Sequence, residues 1–180
     1  GLRVVTWSPR GRGDSEGSED ANGHLGQDDL GELLRWLAWD KHVDSTRIVL
    51  YSRSFGGALV AGALARHDEL QPRAWVDYEI PGWMSVDLSH ASDIDRDRFD
   101  DDMAGADPDT WWAEREPAGH IADVRVDYHR IQGIPDHALG DYIDHARVMV
   151  DHATAASSVL YNGEPITPPL GEDRAWDLAI

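Results

Sequence analysis

Apolar residues fall along this chain in two alternating spacings. Short apolar runs bounded by turn residues occur at Val4–Trp7, Arg47–Tyr51, Ala74–Ile80, Val124–Ile131 and Ser158–Tyr161. Each reads as a strand, the first as a buried one and the second as a central parallel one. Between them the spacing is helical. Leu30, Leu33, Leu34, Leu37 and Ala38 put one apolar face on a helix from about Gln27. Asp28 and Asp29 fall in its first turn, where the positive end of the helix dipole favours acids. Gly57–Arg66 reads as a helix of small residues able to pack closely on a sheet. Asp141–Ala155 reads as another, with Tyr142, Ala146, Met149, Val150 and Ala153 on one face. A Pro-rich loop follows Tyr161, and the residues from Glu172 can open a last helix. This order predicts an α/β fold, a mostly parallel sheet flanked by helices and joined by right-handed crossovers.

Two stretches interrupt the alternation. Ser8-Pro9-Arg10-Gly11-Arg12-Gly13 begins a polar, glycine-rich loop that runs to Gly26. The residues from Trp83 to about Pro117 carry acidic clusters and the pair Trp111-Trp112. They predict an inserted cap or lid, at about 82–117, within a single domain covering 1–180. There is no internal repeat and no linker long enough to divide the chain.

Charge narrows the partners. Acidic residues number 34 against 16 basic ones, a formal net charge of −18, and Lys41 is the only lysine. Such a surface repels nucleic acid and anionic membranes. It also resembles the lysine-poor surfaces of proteins from high-salt environments, where screening weakens self-repulsion; a GC-rich genome is the alternative source of the bias. Hydrophobic residues at 41% and charged residues at 28% exclude a disordered composition. No apolar run approaches the roughly 20 residues of a membrane span. No signal peptide is visible and the chain contains no cysteine, so it holds no disulfide, thiol nucleophile or cysteine metal site. The compartment, cytoplasmic or secreted, stays open, as does the oligomeric state.

The chemistry centres on Tyr51-Ser52-Arg53-Ser54-Phe55-Gly56-Gly57, a strand-to-helix turn with a serine at its apex. A nucleophile elbow reads G-x-S-x-G there, because small residues two positions either side avoid collision in a sharp turn. This chain keeps Gly56 and has Ser52 in place of the first glycine. Upstream, Arg10 to Gly17 spells R-G-x-G-x-S-x-G, and Gln27-Asp28-Asp29-Leu30 through Trp36 follows as a helix. In this order the motifs resemble the α/β-hydrolase superfamily, in particular its prolyl-oligopeptidase and X-Pro dipeptidyl-peptidase/cocaine-esterase branches. The resemblance covers most of the chain. It implies a serine hydrolase with Ser54 as nucleophile and the Phe55 amide as one oxyanion donor. It also implies that residue 1 falls just before the fourth strand of the fold, so that three strands and a second oxyanion donor are expected to be missing. A fragment is favoured over a reduced version of the fold.

A serine needs a base, and the base needs a carboxylate to orient it. The resemblance places the acid in the loop after Val124–Ile131, at Asp136, with Glu79 at the end of the preceding strand as the alternative. Asp136 is equally suited to capping a turn. The family's histidine belongs after the last strand, where this chain has Tyr161-Asn162-Gly163-Glu164-Pro165 and no histidine follows His152. His137 is the best local candidate for the base. His24 is a further possibility, while His129, His145 and His152 read as structural. Asp93 to Asp102 lacks the glycine and spaced glutamate of an EF-hand, and Gly11-x-Gly13 lacks the third glycine of a dinucleotide loop. No cofactor or metal is therefore expected. Trp83, Trp111 and Trp112 either line an acyl pocket or bury the cap. The expected partner is a small-molecule or peptide substrate cleaved at an ester or amide. The alternative is a non-catalytic α/β-hydrolase relative acting as a binding module.

Overall fold

The structure, a computed structural model, describes residues 1–180 apart from the side chains of Ile94 and Glu172. Five strands form one sheet in the order β1-β2-β3-β4-β5. They are β1 (Val49–Arg53), β2 (Ala74–Tyr78), β3 (Asp127–Ile131), β4 (Ser158–Tyr161) and β5 (Glu164–Pro165). The first four run parallel and β5 returns antiparallel to β4. Helix α1 (His24–Trp39) precedes the sheet, α2 (Gly56–Arg66) joins β1 to β2, and α7 (Asp144–His152) joins β3 to β4. Helix α8 (Glu172–Leu178) closes the chain. Among the described residues no helix is long and apolar enough to cross a membrane.

The small residues of α2 explain its position. A Cβ at Gly57 would lie 2.1 Å from Ile80 Cγ2, and one at Gly62 would lie 2.2 Å from Gln27 Cδ. Glycine at these positions lets α2 approach the sheet on one side and α1 on the other. Ala58, Ala61 and Ala63 are wholly buried along it. Ser52, in the place of the elbow's first glycine, is buried on β1 and its hydroxyl accepts from the Trp75 indole at 2.8 Å. A buried indole N–H needs such an acceptor, and glycine would not supply one.

Residues 1–9 form no strand, and Leu2, Val4 and Val5 are exposed. The buried strand expected at Val4–Trp7 is therefore absent, although Trp7 packs partly on the core. A strand exists only by pairing, and β1, expected to be central, is instead the edge of this sheet, with Val49 and Tyr51 exposed because no strand covers that side. Between β2 and β3 the chain forms four short helices, α3 (Met84–Asp87), α4 (Asp93–Met103), α5 (Pro108–Ala113) and α6 (Pro117–His120). Ser92 and Asp107 cap α4 and α5, and proline opens α5 and α6. Met84, Phe99 and Trp111 from this stretch bury against Ala21 and Ala58 as a second apolar cluster, with Phe55 and Trp112 at its margin.

A charged network crosses the core under the strand ends. Asp77 Oδ2 accepts from the Tyr128 hydroxyl at 2.5 Å and from Arg130 at 2.8 Å, with both ion-pair partners fully buried. Arg130 also donates to the Ile80 carbonyl and to Gln132 Oε1, and meets His145 Nδ1 at 2.9 Å. Burial pushes the Asp77 carboxyl up, while Arg130 and Tyr128 pull it back. Asp77→Ala leaves the guanidinium buried without its counter-charge. It is expected to lower unfolding free energy by about 3–5 kcal/mol, and the volume-matched pair Asp77→Leu/Arg130→Met to lose much less. Urea unfolding of the two variants checks this. A loss below about 1 kcal/mol for Asp77→Ala would remove the network from the stabilising interactions.

Candidate active site

The parallel register decides which side chains meet. Arg53, Tyr78 and Ile131 are paired across β1, β2 and β3. The ladder continues one step further, since Ser54 N donates to the Tyr78 carbonyl and Glu79 N to the Ile131 carbonyl, both at 3.0 Å. Adjacent strands lie about 4.8 Å apart. Ser54 and Glu79 are thus neighbours just beyond the carboxyl ends of two strands, where open α/β sheets place their ligands. Both take a left-handed backbone, each at φ 51°. A non-glycine residue there costs about 1–3 kcal/mol and persists only where its surroundings impose it. At Ser54 the cause is the abrupt passage from β1 into α2, with Gly57 N bonding back to the Ser54 carbonyl at 2.9 Å. Phe55 stands at the N-terminal cap of α2, where an amide has no acceptor within the helix.

Glu79 is buried and carries a histidine. Its Oε1 accepts from Gly133 N at 2.9 Å. A Cβ at Gly133 would lie 2.7 Å from that oxygen, so glycine makes room for the carboxylate. Its Oε2 accepts from His137 N at 3.3 Å and lies 2.6 Å from His137 Nδ1. The His137 residue is exposed, and among the described residues its Nε2 makes no hydrogen bond. Among the described residues no side chain bonds the Ser54 hydroxyl.

Asp136 is occupied differently. Its Oδ1 accepts from the amides of Ala138 and Leu139 at 2.8 and 2.9 Å. Its Oδ2 accepts from Gln132 at 3.0 Å and lies 3.4 Å from the buried His145 Nε2. Burial opposes its charge. The contact from His145 and the hydrogen bonds from Gln132 and the two amides outweigh burial and hold the carboxyl well below the usual carboxylate range. From Asp136 Oδ1 to His137 Nδ1 is 3.7 Å, against 2.6 Å from Glu79. Of the two carboxylates weighed for orienting His137, Glu79 makes the hydrogen bond, and Asp136 caps its own turn.

His145, expected to be structural, is fully buried beside Asp136 and Arg130. The available signal was its place next to Ala146 and four residues before Met149, on the buried face of α7. His24 lies 3.7 Å from Glu114, His129 sits within β3, and His152 meets the Trp83 ring edge-on. Ligand atoms of Glu79, Asp136 and His137 lie within 4.8 Å of one another, close enough to surround a cation. Their carboxylate oxygens are already taken by backbone amides and the imidazole, which suits a carboxylate–histidine pair better than a metal shell.

No protein-family model matches the chain. The chain is 29% identical over 93 residues to a polyketide transferase of Gibberella fujikuroi, a stretch covering 49% of this chain and 29% of that protein. Among solved structures it resembles puromycin hydrolase with a TM-score of 0.64 at 15% identity, over 83% of this chain and 23% of that one. It resembles an esterase of Pyrococcus furiosus with a TM-score of 0.58 at 15% identity, over 84% of this chain and 57% of that one. The chain has the α/β-hydrolase fold. In an α/β-hydrolase the nucleophile elbow joins a strand to the following helix, the place that Ser54 holds between β1 and α2. The chain spans less than a third of the polyketide transferase and of puromycin hydrolase.

Proposed function

We propose that this chain belongs to a serine hydrolase that cleaves an ester or peptide-type acyl bond in a small-molecule or peptide substrate. The observation that carries the reading is the Glu79–His137 pair, 2.6 Å apart, one strand over from a serine at φ 51°. Ser54 Oγ attacks the carbonyl carbon while His137 Nε2 takes its proton. Glu79 holds the Nδ1 proton of His137, so that Nε2 presents its lone pair to the serine. The Phe55 amide donates to the oxygen as it becomes negative. The imidazolium returns its proton to the leaving group, and water then releases the acyl group by the same steps in reverse. Asp136 supports the loop that carries His137. Helices α3–α6 act as a cap beside the elbow, and no cofactor takes part.

The likenesses to puromycin hydrolase and to an esterase agree with acyl cleavage. The non-catalytic reading, a binding module of the same fold, is favoured by the lack of a hydrogen bond to the Ser54 hydroxyl among the described residues. A fluorophosphonate separates the two, because it phosphonylates a base-activated serine far faster than an unactivated hydroxyl. Tandem mass spectrometry of the treated protein is expected to find the adduct on Ser54. An adduct on another residue, or none, would favour the binding module.

A further inference from the structure

The loop before α1 packs Ala21 beside the elbow and hydrogen-bonds it through the Asn22 side chain. Ala21 and Asn22 both have left-handed backbones, at φ 49° and 65°. Asparagine tolerates that region and alanine does so poorly, so the loop is held from outside. Arg115, buried between α5 and α6, donates to the Ala21 carbonyl at 3.2 Å and to the Asp20 carbonyl at 2.7 Å. It also donates to the Trp111 carbonyl at 2.8 Å, and its guanidinium lies 4.3 Å over the Trp111 ring. A Cβ at Gly23 would sit 2.2 Å from the Arg115 guanidinium, so glycine admits the arginine. From α1, Gln27 Nε2 bridges the Asn22 carbonyl at 3.1 Å and the Glu114 carbonyl at 2.8 Å. Clamped in this way, Asn22 donates its side-chain amide to the Phe55 carbonyl at 2.8 Å.

We infer that Asn22 is a positioning residue of the elbow, held in place by Arg115, so that the helices between β2 and β3 set the geometry of Ser54 and Phe55. The inference rests on the reading of Ser54 as nucleophile. The Phe55 carbonyl also accepts a 3.2 Å bond from Ala58 N, within the first turn of α2. Without the asparagine the first turn of α2 is freer to rotate, and the Phe55 amide loses its aim at the oxyanion. The Phe55 ring is fixed from the same side, edge-on to Phe99 at 4.8 Å, so backbone and ring of this residue are both held by the segment outside the sheet.

Asn22→Gly tests this, since glycine keeps the left-handed backbone and removes only the amide. Hydrogen exchange at the amides of Gly57 and Ala58, which bond the Ser54 and Phe55 carbonyls, is expected to quicken at least tenfold. Exchange at Ala63 and Leu64, in the same helix, should not change. Fluorophosphonate labelling of Ser54 should show the maximal rate falling at least tenfold with half-saturation unchanged, at an unaltered melting temperature. Unchanged exchange at Gly57 and Ala58 would overturn the inference, as would equal acceleration along the whole helix. A parent protein that takes no label would overturn the nucleophile reading, while the exchange comparison still decides whether Asn22 positions the elbow.

Discussion

Replacing Ser54 by alanine is expected to lower ester turnover about 10⁶-fold, the scale seen when a hydrolase loses its nucleophile. The variant keeps the Phe55 amide and the Glu79–His137 pair, so a small residual rate from binding and oxyanion stabilisation should remain. Alanine at φ 51° keeps the strain and gains no bond, and the serine hydroxyl bonds no side chain among the described residues. The fold should therefore change little in stability. Initial rates on a p-nitrophenyl ester, with the melting temperature as control, measure both quantities. Retention of more than a hundredth of the parent turnover would exclude Ser54 as the nucleophile.

Glu79→Gln is expected to lower turnover about 10⁴-fold, the effect of presenting the wrong histidine tautomer to a serine. A glutamine amide facing Nδ1 donates to it and drives the proton to Nε2, which then cannot accept from Ser54. The shape of the site is nearly conserved, so stability is a weak readout and rate a strong one. Asp136→Asn is the informative companion. Its Oδ1 can still accept from the Ala138 and Leu139 amides, and the 3.7 Å contact to His137 carries little of the orientation. Turnover in that variant should fall less than tenfold. The reverse pattern, a collapse with Asp136→Asn and little change with Glu79→Gln, would return the orienting role to Asp136.

Much of the fold was legible along the chain. The strand at Ser158–Tyr161 and the helix to Arg66 fall where spacing and small residues put them, because those patterns encode local burial. The sequence predicts only a loop at Asn162-Gly163. With φ values of 48° and 87° it closes a hairpin between β4 and β5, and Asn-Gly is the usual pair for that turn. Val4–Trp7 has the composition of a strand and forms none, because composition does not supply a neighbour. The stretch from Trp83 to Pro117 was legible as a departure from strand–helix alternation. Its helix caps were readable at Ser92 and Asp107. Its attachment to the elbow through Arg115 and Asn22 was not, since those residues are 93 positions apart along the chain.

The sequence alone determined the serine at the strand-to-helix turn, the parallel α/β order around it, and the short set of carboxylates and histidines that could serve it. Tertiary structure decided which of them meet. Asp136 and His137 are adjacent in sequence, yet the imidazole bonds Glu79, 58 residues away. The reason is physical. Chain neighbours diverge at the backbone, whereas the ends of adjacent parallel strands are brought within about 5 Å by their register.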